Sequence, residues 1–436
     1  MVSTPYYPPA QAQRDAAIMG IFRLLEDAIF LLILLFFSGG IIGLFFSDPS
    51  AAEQQGAIAR MMWYPIYALV GAVSVFSLTR FLRMVSFSPL IILCVLLCGA
   101  TFFWSIDPGV TMRRSVALMV TTMAGLALAA RYDWSQMVQR IALVFTITAV
   151  LSLLVAVLDP ARGIMTEIHA GAWRGIWVEK NYLGANMTKG LIACMCAFAM
   201  RPSRVWVWVP AGALCFLLVL MSTSKTALLI SLFAIALFLA VRLFRRFPII
   251  RIPLLYAIVA SFSLFFVLII AIPEEMFGLI GKDPTLTGRT DIWDLLLKAI
   301  KEKPWLGYGY GTFWMDPLGP SYEIQTILQW PVPTAHNGWL ETCLSGGLVI
   351  MSVFALHFII TTVLAFDRIG RGGVEAYWVI LSTFMFLGFS MSESTILEQN
   401  NLSWVMLVAT SAKLFAGDKP YWRPSTLSQH RLARRY

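Results

Sequence analysis

The stretch AIFLLILLFFSGGIIGLFF, residues 28–46, decides the fold class of this chain. It contains no charged residue, and it is long enough to cross the hydrocarbon core of a bilayer, which requires roughly 20 apolar residues in a helix. It lies too far from the N-terminus, and is too long, to be the apolar region of a cleavable signal peptide. We therefore predict that residues 28–46 form a first membrane span.

Apolar runs of this kind recur along the whole sequence and predict an all-α, polytopic membrane protein. Of the 436 residues, 58% are hydrophobic and 13% are charged, whereas about a quarter of the residues in a soluble domain are charged. We predict twelve spans, near residues 28–46, 61–78, 86–104, 114–130, 141–158, 182–200, 205–221, 226–241, 253–272, 339–364, 376–391 and 402–416.

The positions of lysine and arginine predict the orientation of these spans. Most of them lie in the short loops that share a side with the N-terminus, and basic loops are retained in the cytoplasm, so both ends of the chain are expected there. The net charge of +9 needs no nucleic acid to explain it, because anionic headgroups lie where these residues flank the spans. The predicted division is a cytoplasmic segment 1–27, nine spans in 28–272, a large outer loop 273–338, three spans in 339–416 and a basic cytoplasmic tail 417–436.

The six cysteines all fall in or at the edge of predicted spans. None lies in an outer loop, so no disulfide framework is indicated, and they lack the spacing and aqueous setting of zinc ligands. We interpret them as apolar filling of the membrane bundle.

The outer loop 273–338 is too long to be structureless and is expected to fold as a functional unit. Within it, the pattern from Asp291 to Lys303 predicts an amphipathic helix that ends before Pro304. Next comes Gly-Tyr-Gly-Tyr-Gly at 307–311, which lacks the spacing of a nucleotide-binding motif. Its three glycines are typical of a tight structural turn.

Three residues at the outer ends of spans are candidates for chemistry. His336 lies where the long loop re-enters the membrane, Arg289 precedes the amphipathic helix, and Lys225 lies in a short outer turn. Arg289 and the N-terminus of that helix could bind one anion together. Each residue also has an ordinary explanation: His336 as a backbone-bonded histidine, Arg289 as a solvated loop residue, and Lys225 as a lysine that reaches headgroup phosphate.

Arg174 and Lys180 add positive charge to the same predicted face, beside tryptophans. Cations and one histidine thus surround the outer ends of spans that carry little charge elsewhere, which suits a phosphate-bearing lipid whose tail lies in the bilayer. A transporter is expected to have ionisable residues near the midplane. Lys189 is the clear charge well inside a span, so the pattern disfavours an ion-coupled carrier but leaves a flippase open.

These residues resemble a known family, the O-antigen ligases and Wzy-type polysaccharide polymerases, and in particular its exopolysaccharide polymerase branch. The resemblance covers roughly residues 100–410 and rests on motifs in the family's order. They are Arg174-Gly175 with Glu179-Lys180-Asn181 and Leu183-Gly184, Ser222 to Thr226, Leu286 to Arg289 with Trp293, Pro304 to Gly309, and Ala335-His336-Asn337 with Leu340.

The resemblance implies a metal-independent, inverting glycosyltransferase without cofactors, which acts on undecaprenyl-pyrophosphate-linked oligosaccharide at the periplasmic face of the bacterial inner membrane. His336 and Arg289 are the implied catalytic residues: Arg289 and Lys225 would hold the pyrophosphate, and His336 would serve the acceptor. Lys225 replaces the usual arginine and lacks its bidentate fork. The implied substrate-binding residues are Lys225, Arg174, Lys180, Asn181, Asn337, Trp293 and Tyr308.

Three functions remain open at this point: a polymerase of lipid-linked repeat units, a ligase that passes the finished glycan to a lipid A-core or other acceptor, and a flippase or exporter. The polymerase is preferred, with a flippase and a chain-length regulator as expected partners. Candidates for sugar hydrogen bonds are Glu179, Glu341, Glu393 and Glu398. Aromatic residues that could stack on sugars or form an interfacial belt are Trp305, Tyr308, Tyr310 and Trp314.

Overall fold

The computed structural model describes residues 9–45, 58, 60–166, 169–247, 289–316, 319–329, 332–371 and 373–417. The predicted span 253–272, the first part of the outer loop at 273–288, and the tail from 418 onward lie outside these residues. The described helices are α1 (Pro9–Phe37), α2 (Gly40–Phe45), α3 (Trp63–Phe76), α4 (Leu78–Ser86), α5 (Pro89–Ala100), α6 (Pro108–Arg131), α7 (Trp134–Leu158), α8 (Pro160–Gly163), α9 (Lys180–Met200), α10 (Val205–Met221), α11 (Lys225–Arg246), α12 (Arg289–Glu302), α13 (Pro320–Leu328), α14 (Gly338–Arg371), α15 (Ala376–Ser390) and α16 (Leu402–Ala416).

Two of the long helices begin where the sequence supplies a cap. The Asp107 side chain accepts a hydrogen bond from Val110 N in front of α6, and Pro108 occupies the first helical position, where no amide donor is required. Asp133 and Gln136 form a reciprocal capping box at the start of α7. The apolar sequence after each cap continues as helix because, in lipid, backbone groups must be paired within the segment.

Among the described residues, length and composition identify five helices that can cross a bilayer: α7, α9, α10 with the short 3-10 turn before it, α11 and α14. A sixth span is counted if α3 and α4, which meet at a 95° bend, are taken together. The described residues form no strand and are mostly helical, which confirms an all-α, multi-pass membrane protein. The total of twelve spans is not confirmed. One reason is that α15 and α16 have 15 residues each, about 22 Å of helix, less than the hydrocarbon thickness.

Helix α9 packs against α7, α10, α11 and α15 and so lies at the centre of these elements. Gly190 permits this approach, because a Cβ atom there would lie 2.8 Å from Cys215 Sγ. Gly125 plays the same part where α6 meets α16, since its Cβ would lie 2.8 Å from Val405 O. Small residues let helices approach closely within a membrane. All six cysteines are buried and unbridged, which confirms their interpretation as apolar filling.

The bundle has two ends that differ in what they hold. At one, called the site end, α9, α11 and α14 begin and α15 ends; Trp339 Nε1 donates to Ser390 Oγ there at 3.1 Å. At the other, called the opposite end, α6 finishes and α7 begins, and Arg140 pairs with Asp27 of α1 at 2.6 Å. His336 and Lys225 therefore lie at the same end of the bundle, as the predicted topology requires.

The described residues between 289 and 337 form a small folded unit at the site end, called the loop unit. Helix α12 matches the predicted amphipathic helix closely, and its apolar residues Ile292, Leu296 and Ala299 are buried. They pack against Ile324 of α13 and Leu344 of α14 in a separate hydrophobic cluster. The expectation that this part of the outer loop is folded is therefore confirmed for the residues described.

Candidate functional site

His336 forms the turn between the loop unit and α14. Its φ of +48° lies in the left-handed region, which residues other than glycine rarely adopt. Asn337 Oδ1 then accepts hydrogen bonds from the backbone N–H groups of Trp339 at 3.0 Å and Leu340 at 3.2 Å. Asn337 thus caps α14 and fixes the direction in which the chain enters the bundle.

The backbone of Ala335, just before the histidine, is held from both sides. Its N–H donates to Glu341 Oε2 at 2.8 Å, and its carbonyl accepts from Trp293 Nε1 at 2.9 Å. Glu341 also accepts from Trp314 Nε1, at 3.0 and 3.2 Å. These side chains, called the Ala335 clamp, determine the position of the histidine turn. The indole N–H groups of both tryptophans are therefore engaged in hydrogen bonds within the protein.

Glu393 is the acidic neighbour of His336. His336 Nδ1 lies 3.8 Å from Glu393 Oε2, and the two side chains are 23% and 30% exposed. The pair is therefore shielded from bulk water yet still reachable from the site end. A carboxylate on one side of an imidazole orients the ring and stabilises the imidazolium that forms when the ring takes up a proton.

Glu393 belongs to residues 391–401, an irregular stretch between α15 and α16 that folds back into the bundle and is called the re-entrant segment. Asn400 N donates to Thr121 Oγ1 at 2.9 Å, about halfway along α6. The hydroxyl group of Tyr310 donates to the carbonyl of Leu397. Irregular backbone at such depth is tolerated only where protein or a cavity surrounds it. The re-entrant segment is therefore a feature of the site, and α15 and α16 are short because this segment lies between them.

Lys189 of α9 is the buried cation that faces this segment. It interacts electrostatically with Glu398 and Glu393, its Nζ lies 3.4 Å from Asn186 Oδ1, and it lies 5.7 Å from the centre of the Phe389 ring. A charge this far inside a bundle is expensive and is usually paired and functional. Lys189 thus links α9 to the acidic residues beside His336.

A second group of charges lies where α9 and α11 begin. Lys180 Nζ donates to Thr223 Oγ1 at 3.4 Å, and the positive charges of Lys180 and Lys225 are close enough to repel each other. Thr223 has a φ of +51°, so the turn before Lys225 is tight. Two cations held this close favour an anion with more than one charge.

Arg174, another predicted site residue, is held by backbone groups next to this pair. Its Nε donates to the carbonyl of Arg162 at 2.7 Å and its Nη2 to that of Ala161 at 3.2 Å. Gly175 follows with a φ of +59°, and a Cβ there would lie 2.5 Å from Ser152 Cβ. The Arg-Gly motif thus ties the loop before α9 to α7 and α8, which favours a positioning role for Arg174.

Tyr182 lies between the two groups. This residue of the first turn of α9 interacts electrostatically with Glu179 in front of the same helix and with Glu393 and Glu398 of the re-entrant segment. Glu393 also faces His336, so Tyr182 connects the start of α9 to the acidic neighbour of the histidine at the site end. Helix α12 begins at Arg289, whose side chain lies outside the described residues, and Asn181 is half-buried in the first turn of α9.

The Gly-Tyr-Gly-Tyr-Gly motif is a structural strap, as its composition indicates. Its glycines have φ values of +64°, +109° and +71°. Tyr308 N donates to Leu344 O at 2.8 Å on one side, and Ile106 N donates to Tyr308 O at 3.2 Å on the other. A Cβ at Gly309 would lie 2.4 Å from Ser105 Oγ. The strap therefore connects the loop unit to both α14 and the turn before α6.

Helix α14 is broken where it receives the strap. Gly346 and Gly347 leave the helical conformation, with a φ of +65° at Gly347. Leu348 N donates to Pro304 O at 2.7 Å and Val349 N to Trp305 O at 3.3 Å. The part of α14 before this break contains Glu341 of the Ala335 clamp, and the part after it belongs to the bundle.

Tyr308, predicted to contact substrate, is buried within the loop unit and 3% exposed. Its hydroxyl group donates to Ala299 O at 2.8 Å and to Glu302 Oε2 at 3.1 Å. Burial, together with Glu302, raises the pKa of this phenol, so it remains a neutral donor. The geometry favours packing rather than sugar stacking; Trp305, at 66% exposed, is the better placed of the aromatic candidates.

Among the described residues, no group of three or more His, Cys, Asp or Glu side chains could hold a metal ion. The arrangement instead combines a pair of cations, a histidine with a carboxylate neighbour, and a border of aromatic and acidic side chains. It can bind a polyanion and move a proton.

Comparison with known proteins agrees with this arrangement. Residues 210–355 match the O-antigen ligase family model. The match runs from α10 to the first part of α14, and so includes Lys225, Arg289 and His336. The resemblance inferred from the motifs is thereby confirmed.

A relative in the family is the exopolysaccharide production protein ExoQ of Rhizobium meliloti (strain 1021), which is 24% identical over 262 residues. The alignment covers 57% of this chain and 58% of ExoQ, so the chain spans less than two thirds of that relative's length. Both comparisons agree with the resemblance that the motifs carry.

Two features of the site were not anticipated in their present roles. Glu341 and Glu393 were predicted only as sugar contacts, yet one holds the histidine turn and the other faces the imidazole. The sequence gives only a weak indication of these roles. Glu341 lies in the first turns of the helix that follows His336, and Glu393 lies in a polar stretch between two short apolar helices.

Proposed function

We propose that this protein polymerises oligosaccharide repeat units carried on undecaprenyl pyrophosphate, by inverting transfer of the growing chain onto the next unit. The feature that carries the proposal is that a lysine pair and a histidine–carboxylate pair both lie at the site end of the membrane bundle. The family match and the similarity to an exopolysaccharide production protein support the same reaction class.

The cations would act on the leaving group. In direct transfer, a sugar hydroxyl oxygen attacks the anomeric carbon of the donor, the carbon–oxygen bond to pyrophosphate breaks, and the pyrophosphate leaves with the electron pair. Fixed positive charges stabilise the charge that grows there, by about 10²- to 10³-fold in rate for each well-placed donor in related cases. Lys180 and Lys225 supply two such charges, and Arg289 at the start of α12 supplies the third.

His336 would receive the hydroxyl proton. Glu393 lies on the Nδ1 side of the ring, and we assign the proton transfer to Nε2. Proton removal by a positioned base contributes typically 10²- to 10⁴-fold. The charge of Glu393 would stabilise the imidazolium until the proton leaves.

A ligase that passes the glycan to a different acceptor is the second candidate, because the matching family model is that of O-antigen ligases. The two functions share donor and chemistry and differ in the acceptor. The test is an assay of purified protein in detergent with a lipid-linked oligosaccharide. A ladder of products supports the polymerase, transfer of one glycan to an added core lipid supports the ligase, and failure to form any glycosidic bond contradicts both and favours a flippase.

In that assay, His336→Ala and Arg289→Ala are expected to lower product formation by about 10²-fold or more. Arg371→Gln is the matched control, since Arg371 lies at the end of α14 away from the site and pairs with Asp367 on the protein surface. Each variant must elute as a folded protein. Full activity of either site variant would show that the substituted residue does not have the catalytic role assigned to it.

We also propose that the site end faces the periplasm of the bacterial inner membrane. The test uses membrane-impermeant maleimide on whole cells, because the native cysteines are buried. A cysteine introduced at exposed Glu323 of the loop unit should be labelled, and one at exposed Arg201, in the turn after α9, should be labelled only after permeabilisation. The reverse pattern would place the candidate site in the cytoplasm.

A further inference from the structure

A cavity of about 1160 Å³ lies at the opposite end of the bundle, away from His336, and is called the opposite-end cavity. Its walls come from α1, α3, α4, α6, α7 and α16 and from the short turns that join them. Five basic side chains and three acidic ones line it, so positive charge is in excess. They are Arg23, Arg80, Arg131, Arg140, Lys413, Glu26, Asp27 and Asp133.

Three of these cations already have partners within the protein. Arg131 forms an ion pair with Glu26, and Arg140 forms one with Asp27 at 2.6 Å. Lys413 donates to two backbone carbonyls at 3.3 and 2.6 Å near the end of α6. The two arginines are thus paired with carboxylates and the lysine is held by backbone carbonyls, so all three form the walls of the cavity.

Arg23 of α1 and Arg80 of α4 are the cations that remain. Both are exposed and line the cavity, and neither forms an ion pair with another described residue. The third carboxylate, Asp133, accepts the backbone N–H of Gln136 as the cap of α7. The charge excess therefore resides in two guanidinium groups, which match the geometry of phosphate oxygens.

The rim beside these arginines is apolar. Val75 and Phe76, at the bend between α3 and α4, line the cavity and are 67% and 88% exposed. The 95° bend directs α4 across the direction of α3, as expected for a helix that lies in the interface plane. A soluble anion needs no such surface, whereas the acyl chains of a lipid do.

We infer that the opposite-end cavity binds the phosphate headgroup of an anionic phospholipid, with Arg23 and Arg80 on the phosphate and the acyl chains against the apolar rim. Basic cavities between membrane helices bind anionic headgroups in this way. This site is separate from the proposed glycosyl transfer, and its test does not depend on that activity.

The inference is tested by native mass spectrometry of the purified protein in neutral detergent. Titration with phosphatidylglycerol or phosphatidylcholine measures the affinity for each lipid. Phosphatidylglycerol is expected to bind about tenfold more tightly than phosphatidylcholine, and Arg23→Gln/Arg80→Gln is expected to remove most of that difference. The control Arg201→Gln/Arg242→Gln removes two exposed arginines that do not line the cavity and should retain the preference. If the double variant is not recovered folded, each single variant should lose about threefold.

Three results would overturn the inference. One is equal affinity for the two lipids, and another is an equal loss in the control variant, which would indicate nonspecific charge attraction. The third is displacement of phosphatidylglycerol by inorganic phosphate at low millimolar concentration, which would identify a site for a soluble anion. Retention of the lipid against phosphate, combined with its loss in the Arg23/Arg80 variant, supports it.

Discussion

The two halves of the candidate site are built in different ways. Lys180 and Lys225 lie in the first turns of two regular helices, whose contact is set by small residues such as Gly184, where a Cβ would lie 2.9 Å from Ala227 Cβ. His336 instead lies in a left-handed turn that depends on the loop unit, the strap and the re-entrant segment. The difference shows that binding charges can be placed by helix ends alone, whereas a proton acceptor needs support from distant parts of the chain.

The largest expected effect tests the lysine half. Lys180→Ala/Lys225→Ala should lower kcat/KM for a lipid-linked donor by about 10³-fold, because two fixed charges on the leaving group are lost, while Lys225→Arg should retain activity within about tenfold. Initial rates of product formation measure both. Lys298→Ala/Lys301→Ala, on the exposed face of α12, is the control; a similar loss there would mean that overall charge near the membrane is what matters.

The histidine half of the site depends on the break in α14. Gly347→Ala should therefore lower the stability of the protein. A Cβ at Gly347 would lie 2.2 Å from the carbonyl carbon of Trp305, at a φ of +65°, so about 3 kcal/mol is expected from the clash and the left-handed backbone together. Thermal unfolding in detergent measures the change. Gly71→Ala has open space around it and should be neutral or slightly stabilising; equal effects at the two positions would contradict the role of the break.

The Ala335 clamp separates positioning from binding. Glu341→Ala should lower kcat by about 10²-fold with little change in KM, because the histidine turn loses its anchor and a displacement of about 1 Å has effects of this size. Glu341→Gln, which keeps one acceptor oxygen, should recover part of the loss. Glu323→Ala, on exposed α13, is the control. A rise in KM at unchanged kcat would instead make Glu341 a sugar contact.

The smallest expected effect concerns Tyr308. Tyr308→Phe keeps the buried ring and removes the hydrogen bonds to Ala299 O and Glu302, so about 1 kcal/mol of stability should be lost, with activity unchanged within about twofold. Unfolding and rate measurements on the same preparation distinguish the two outcomes. A tenfold rise in KM at normal stability would return Tyr308 to the sugar-binding surface.

Much of the fold can be predicted from the sequence, because apolar runs in lipid leave the backbone few choices. The positions of most predicted spans agree with described helices, and the amphipathic helix at α12 is correct to within a few residues. The stretch around residues 376–416 is harder to assign. Its two apolar runs are predicted as full spans, whereas contacts of Asn400 and Tyr310 draw the intervening polar residues into the bundle.

For the candidate site, residues at helix starts are predictable and their partners are not. Lys225 and His336 stand out in sequence because charge is rare there. Glu393, by contrast, is one carboxylate among several, and its nearness to His336 follows from packing of α14 against α15. Trp293 and Trp314 are likewise predicted as substrate or sugar contacts, because indole N–H groups that donate to Ala335 O and to Glu341 leave no pattern in the sequence.

The burial of Lys189 has a consequence for the order in which the protein is made. Helix α9 leaves the ribosome roughly two hundred residues before Glu393 and Glu398, and a lysine in the middle of an apolar helix costs about 3 kcal/mol on insertion. Until the last third of the chain has been synthesised, α9 has no carboxylate from that segment beside its ammonium group. Completion of the bundle must therefore await its C-terminal helices, and premature termination before residue 393 would leave a membrane intermediate for quality-control proteases to recognise.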